Sequence, residues 1–463
     1  MRRFLLLVLS TMSYAQTVRL CLSNWITHLL TAVPLRSRAT FIELLCGCLI
    51  SPEGWVTRAI SAIARRKHWT TYYKLLERGS LRTLRLAHAL FEVVAQALPM
   101  ETLNLVIDDT LILRQSETAP GSMIRHDHAK KANQTQFVLA QCWVTLGVSV
   151  LGGAGRKYVL PIVSRLVPVS GNRNKLTIAL SLVRGLTPVM KARPVRILFD
   201  AWFMRARLVL PLLSRKMRVI GQARRDTALF LPPVVLAKCG RGRPRKYGVK
   251  MTPESIRALP ETEVKLTLYG KEQLIRLRSV LAIARFLKGA SVRAVWCSFY
   301  DADKQSWSKA RLLLASETEL SAEEILRLYA RRWGIEPLFH NLKRWWGVNN
   351  LWQQKRTVLE RWMQIRSTAW TLVQLLSLVA EESFPINVVA PWRDKQPLTG
   401  GLVAQWLRME FTGLAFRDGL NRKSGIFTFP EQRGDPRLRM QHCCQQQTAS
   451  VLTNSASIVP PIR

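Results

Sequence analysis

From residue 103 the chain turns to short β-type apolar runs, and the order of those runs and of the helices that follow limits what the chain can fold into. The runs 103–110, 136–144 and 158–163 follow one another with no helical pattern between them, which predicts an antiparallel meander. A helical stretch at 175–185, the run Val195-Arg196-Ile197-Leu198-Phe199-Asp200, a helix at 202–214 and a short strand at 217–221 come next. That alternation predicts parallel strands joined by crossover helices. A meander followed by βαβ units makes a mixed α/β sheet.

The flanks have other textures. Residues 17–100 carry apolar positions three and four apart, as in Phe41-Ile42-Glu43-Leu44-Leu45, and predict an all-helical N-terminal domain. Within it, 65–74 interleaves Arg, Lys and His with Trp69, Tyr72 and Tyr73, a mixture suited to phosphate contact and base stacking, or to a solvated helix face with its rings turned inward. Residues 101–221 form the first part of the sheet domain. Alternating strands at 263–269, 292–296 and 311–315 predict a β-rich insertion over 222–318. Residues 319–385 return to a helical pattern, and 386–463 form a C-terminal region of weak periodicity with a poorly ordered tail.

The charge balance narrows the partner. With 69 Lys+Arg against 30 Asp+Glu the chain carries +39, yet 48% of it is hydrophobic, so it is a folded protein rather than a disordered basic tail. Such a charge repels itself in the compact state and points to DNA or RNA, with an anionic membrane surface as the rival. No apolar run reaches 18 residues, so no spanning helix is expected. The eight cysteines lack zinc spacing and read as reduced, mostly buried thiols. Met1-Arg2-Arg3, an apolar core at 4–9 and Ser13-Tyr14-Ala15 have the parts of a secretory signal, but the core is short and an amphipathic or buried first helix is the preferred reading.

Acids are scarce, so an acid at the end of an apolar strand needs a reason. Asp108 and Asp109 follow Leu105-Val106-Ile107, and Asp200 follows Ile197-Leu198-Phe199. Open α/β sheets bind ligands at the carboxyl ends of strands, and a buried carboxylate there is stabilised by a divalent cation, or else caps the following turn. Downstream, Ser321-Ala322-Glu323-Glu324 reads as a capping box that starts a helix. On an ideal helix Tyr329, Arg332, Glu336 and Lys343 fall within an arc of about 60°. Gly334 and Pro337 argue for a kink within that face.

Tyr-x2-Arg-x3-Glu-x6-Lys, as it stands in Tyr329 to Lys343, resembles the YREK signature of DDE-type bacterial insertion-sequence transposases. Ile107-Asp108-Asp109-Thr110 resembles that family's first acidic site, Leu198-Phe199-Asp200-Ala201-Trp202-Phe203 its second, and 125–133 the segment after the first strand. The likeness covers about residues 40–380. It implies an RNase H-like mixed sheet with flanking helices, interrupted by a β-rich insertion between the second Asp and the Glu. It implies a catalytic and metal-binding triad of Asp108, Asp200 and Glu336, with Asp108 preferred over Asp109 because the family's site reads Asp-x-Thr. Tyr329, Arg332 and Lys343 become DNA contacts, and the cofactor two Mg2+ ions, with Mn2+ as a substitute. The partner is double-stranded DNA, at element ends and target, with no membrane role, a homodimer when assembled on DNA and a bacterial cytoplasmic, nucleoid-associated location. The implied activity is metal-dependent end cleavage and strand transfer.

Other features carry less. His126 and His128 could share a metal or belong to a hairpin loop. Arg241, Arg243, Arg245 and Lys246, in a Gly-Arg-Pro-rich run, could enter a narrow minor groove or form a solvated basic loop. Trp202, Trp333, Trp345, Trp346 and Trp352 read as mostly core residues, with one available to stack on an unpaired base. The alternatives to a transposase are a catalytically inactive DNA-binding protein of the same fold and an exported basic protein.

Overall fold

The computed structural model describes residues 12–127, 135–169, 173–191, 193–233, 245–393 and 396–430. Helices α1 (Tyr14–Leu29), α2 (Arg38–Ile50), α3 (Val56–Ser61), α4 (Trp69–Arg78) and α5 (Thr83–Ala97) precede strands β1 (Leu103–Leu113), β2 (Ser122–His126), β3 (Phe137–Leu151) and β4 (Lys157–Leu166). Helix α6 (Arg173–Met190) leads into β5 (Val195–Phe199), and α7 (Ala206–Leu213) into β6 (Arg218–Ala223). Then come β7 (Leu229–Phe230), α8 (Pro253–Arg257), β8 (Thr262–Leu268), β9 (Lys271–Ala284), β10 (Ala290–Asp301), β11 (Ser306–Trp307) and β12 (Arg311–Ala315). The chain closes with α9 (Ala322–Tyr329), α10 (Ile335–Arg344), α11 (Arg356–Val379), α12 (Ile386–Val389) and α13 (Gly400–Phe411).

The meander and the crossover units are both present. β1 pairs antiparallel with β3 and β3 with β4, whereas β1–β5 and β5–β6 are parallel. Leu103 and Leu105 to Ile107 are fully buried, as befits a strand covered on both faces. β2 pairs with the start of β3, along the edge that β4 takes farther on. The strands of 222–318 do not stand apart: β12 returns antiparallel to β6, and β10, β9 and β7 continue the order β2-β3-β1-β5-β6-β12-β10-β9-β7 in one mixed sheet. Flanking helices pack on it, α6 and α7 against β3 and β6, α10 and α11 against β1 and β4.

At the amino end, Ser13 caps α1 through a capping box with Gln16, and Tyr14 is buried; residues 1–11 lie outside the described residues. In α4, His68 caps the start, Tyr72 turns inward to hydrogen-bond the buried Glu43, and Trp69 stays exposed, so the basic-aromatic stretch is split between the two readings. Cys46, Cys48, Cys142 and Cys297 are buried free thiols and Cys21 is half-buried. No helix among the described residues is long and apolar enough to cross a membrane.

Helix α11 joins the helical and sheet parts. Its residues from Trp362 to Ser377 are all buried, between β4 on one side and α2, α5 and α13 on others. The region after 386, where periodicity is weak, nevertheless contributes α13 to this packing; residues 431–463 lie outside the described residues. A fully buried guanidinium anchors the assembly. Arg366 donates to the carbonyls of Ser51 (3.0 Å), Pro52 (2.5 Å) and Trp346, while the Trp346 indole N–H donates to the Arg366 carbonyl at 2.9 Å and that of Trp362 to the Gly54 carbonyl at 2.7 Å. Gly54 and Gly347 meet back to back: a Cβ on Gly54 would stand 1.9 Å from the Gly347 oxygen, and Gly347 has φ +63°. The end of the α2–α3 loop is thereby held against the end of α10.

Replacing Arg366 by Met keeps the volume but leaves three buried carbonyls unpaired, each costing about 1–3 kcal/mol. We expect a loss of roughly 3–5 kcal/mol in urea unfolding; a change within about 0.5 kcal/mol, the range of ordinary surface substitutions, would show that the network is not what joins the two parts.

Candidate active site

The parallel register places the first two acids side by side. Val106 lies opposite Leu198, so two residues farther Asp108 lies beside Asp200. Asp108 is not at the end of its strand, as the apolar run suggested, because β1 continues to Leu113 against β3 alone; it sits where the pairing with β5 stops. Asp200 does follow the last residue of β5. One of its oxygens, Oδ1, accepts the Trp202 and Phe203 amides at 3.0 and 3.2 Å, so it caps the turn it enters.

The segment with the Tyr-Arg-Glu-Lys spacing is not one helix. α9 starts on the expected Ser321–Glu324 capping box and ends at Tyr329; residues Ala330–Gly334 tighten into a 3-10 turn, and α10 begins at Ile335. Gly334 lets this turn lie close to β4, since a Cβ there would come within 3.2 Å of the Lys157 oxygen. Pro337 falls in the first turn of α10, where its missing N–H costs nothing. In a 3-10 turn residues three apart eclipse, which leaves Tyr329 and Arg332 on one side. The guanidinium of Arg332 lies 5.8 Å from the Tyr329 ring centroid.

Arg332 bridges two carboxylates. Nη1 donates to Asp108 Oδ2 at 2.9 Å and Nη2 to Glu336 Oε1 at 2.8 Å. The two oxygens are therefore within about 8 Å, the sum of the bonds and the width of the guanidinium fork. Asp108 and Arg332 are largely shielded, their side chains 15% and 14% exposed, while Glu336 is 48% exposed. Burial and the neighbouring Asp200 push the Asp108 carboxyl up to about 7, against the pull of Arg332. Burial also raises Asp200, opposed by the Phe203 amide and by Arg332. Among the described residues, no group of three or more His, Cys, Asp or Glu side chains is gathered closely enough to hold a metal ion. The aspartates stand together, and Glu336 is held one guanidinium away.

The remaining residues singled out by sequence are scattered. Burial raises Tyr329 above the ordinary phenol value. Lys343 donates to the Leu111 carbonyl at 3.0 Å, which ties α10 to the end of β1, and burial lowers its pKa. Asp109 points to the other face of β1, where Lys175 meets Oδ1 at 2.5 Å and the Cys142 thiol meets Oδ2 at 3.3 Å. Arg245 and Lys246 are exposed, while Arg241, Arg243 and His128 lie outside the described residues. His126 sits at the end of β2 with its ring edge-on to Phe137. The expectation that the five tryptophans are mostly core holds for Trp346, and Trp202 is half-buried against the core; Trp333, Trp345 and Trp352 are instead 42%, 62% and 41% exposed.

Two neighbours of the site carry no signal of their own in the sequence. Tyr269 and Gly270 form the two-residue turn between β8 and β9, both at positive φ, and the Tyr269 ring packs 5.7 Å from that of Trp333. The tip of the insertion thus touches the Tyr329–Lys343 segment. A Tyr-Gly pair after an alternating run marks the turn, but not what it leans on. Lys175 is the other.

Because the Asp108 carboxyl is raised above its unfolded value, near 3.9, its neutral form favours the folded state. That contribution is complete below about pH 4 and is lost as the pH rises through about 7. Thermal melts in chelator are expected to lose of the order of 2–4 kcal/mol between pH 5 and 8, and Asp108→Asn to flatten most of that slope; an unchanged slope would place the burden elsewhere.

No protein of curated function matches the chain. The family model described as Transposase DDE domain matches residues 105–372, which takes in Asp108, Asp200 and the whole Tyr329–Lys343 segment as well as the inserted strands. That match covers more than half of the 463 residues, and the chain belongs to the DDE transposase family.

Proposed function

We propose that this protein is an insertion-sequence transposase that cuts DNA at element ends and joins them to target DNA, with Asp108, Asp200 and Glu336 as its catalytic carboxylates. The observation that carries the reading is the position of Arg332, bonded at once to Asp108 and to Glu336, with Asp200 beside Asp108 across the parallel strands. Two unit charges about 4 Å apart repel by about 4 kcal/mol at an effective dielectric near 20. A shielded carboxylate pair with raised pKa values is therefore a site that a divalent cation stabilises. Asp108 and Asp200 would hold it, and Glu336 would join them once its ion pair with Arg332 opens. Asp109 is set apart by its engagement with Lys175 and Cys142.

Mg2+, with Mn2+ as a substitute, would supply the charge that makes water or a 3′-hydroxyl a competent nucleophile and stabilises the leaving oxygen. The chain's own residues set the geometry around it. Asp200 is fixed by the two turn amides, which leaves Oδ2 for ligation. Arg332, already desolvated, offers a planar fork to a phosphate that replaces a carboxylate as its partner. Tyr329 lies under the guanidinium and limits its swing. Lys343 holds α10 on β1 and so fixes the distance from Glu336 to the aspartates. The +39 charge provides long-range attraction for DNA, and two element ends call for two copies of the chain on DNA.

The test is cleavage of end-containing DNA in Mg2+. Asp108→Asn, Asp200→Ala and Glu336→Gln are each expected to lower the rate by at least about 10³-fold, with DNA binding retained in gel-shift assays. Cleavage by Asp200→Ala at the parent rate would remove the site assignment. Binding without cleavage by the unmodified chain, in either metal, would make it a DNA-binding protein only.

A further inference from the structure

The second aspartate of the tandem is not idle. Its carboxylate meets Lys175, which reaches across from α6 on the face of β1 opposite Arg332, and both side chains are shielded, 17% and 14% exposed. The same ammonium lies 4.0 Å from the centroid of the Trp202 ring and 5.8 Å from that of Phe203. At those distances a cation is attracted to the ring faces. Trp202 and Phe203 are the two residues whose amides hold Asp200 Oδ1. A continuous set of contacts therefore runs from Asp109 through Lys175 and the Trp202 indole to the turn that orients Asp200.

We propose that Asp109 and Lys175 are positioning residues for the metal site: their ion pair pins the Ala201–Phe203 turn and thereby fixes Asp200 for ligation. This rests on the reading of Asp200 as a metal ligand. Two physical features favour it over a direct DNA contact for Lys175. The ammonium is already engaged by a carboxylate and two ring faces, which a phosphate would have to replace. Lys175 also cancels a third negative charge that would otherwise add to the repulsion between Asp108 and Asp200. Cys142, donating to the other Asp109 oxygen, fixes that carboxylate from β3.

Removing Lys175 alone would strand a shielded carboxylate, so the test uses the full chain with the paired substitution Asp109→Asn/Lys175→Met, which removes both charges together, and with Lys175→Arg, which keeps a cation over the indole. Mn2+ affinity is measured by electron paramagnetic resonance of the free ion, without DNA, and the Mg2+ dependence of cleavage is measured separately from the rate at saturating metal. The proposal expects the paired variant to bind Mn2+ about 10–100-fold more weakly, to need correspondingly more Mg2+, and to recover most of its rate at saturation, with Lys175→Arg close to the parent. Parent Mn2+ affinity in the paired variant overturns it, as does weakened DNA binding with an unchanged metal dependence, which would make Lys175 a phosphate contact. If Asp200→Ala still cleaves, the underlying site assignment fails instead; if Asp200→Ala is inactive and the paired variant is unchanged in metal affinity, only the positioning role fails.

Discussion

The guanidinium between Asp108 and Glu336 is the interaction on which the rest of the site turns. Parallel pairing of β1 with β5 forces Asp108 and Asp200 into adjacency, and the helices covering the sheet take both carboxylates largely out of water. A like-charged pair in that setting must gain a cation, stay partly protonated, or both. Arg332 answers part of the demand, and the raised Asp108 carboxyl records what is left. In a chain with more than two basic residues for each acid, positive charge near an acid is cheap; what is specific is a planar fork that reaches two carboxylates at once.

Much of this was legible in the sequence, and the exceptions have physical causes. The run 103–110 reads as a strand whose start is buried on both faces, whereas Leu111-Ile112-Leu113, set off from that start by Asp108-Asp109-Thr110, extends the same strand beyond the run. β2 pairs only along one edge, and Ser122-Met123-Ile124-Arg125-His126 keeps no clean alternation. The Tyr-Arg-Glu-Lys spacing reads as one helical face with a kink at Gly334 and Pro337, and the segment breaks there through a 3-10 turn that runs close to β4 at Gly334. Lys175 was invisible, one cation among 69, because its meaning comes from Asp109 and Trp202, which are distant in sequence.

The helical and sheet parts meet over an all-round buried helix rather than a flexible joint. α11 packs on β4 with one face and on α2, α5 and α13 with the others, and Arg366 bonds carbonyls from both sides. The Gly54–Gly347 contact then brings the N-terminal helices against the residues that end α10. A displacement of those helices is transmitted directly to the element that carries Glu336 and Lys343, since close-packed interiors do not absorb it.

The inserted strands bear on how such a chain tolerates shortening. β12 runs antiparallel beside β6, so the segment that sets out from β6 comes back as that strand's neighbour and widens the same sheet. Cutting it out would leave β6 paired with β5 alone and bare a row of amides and carbonyls on its other side, the kind of border that recruits foreign strands and clumps. A trimmed version would need a new hem, charged or helical, before it could stay in solution.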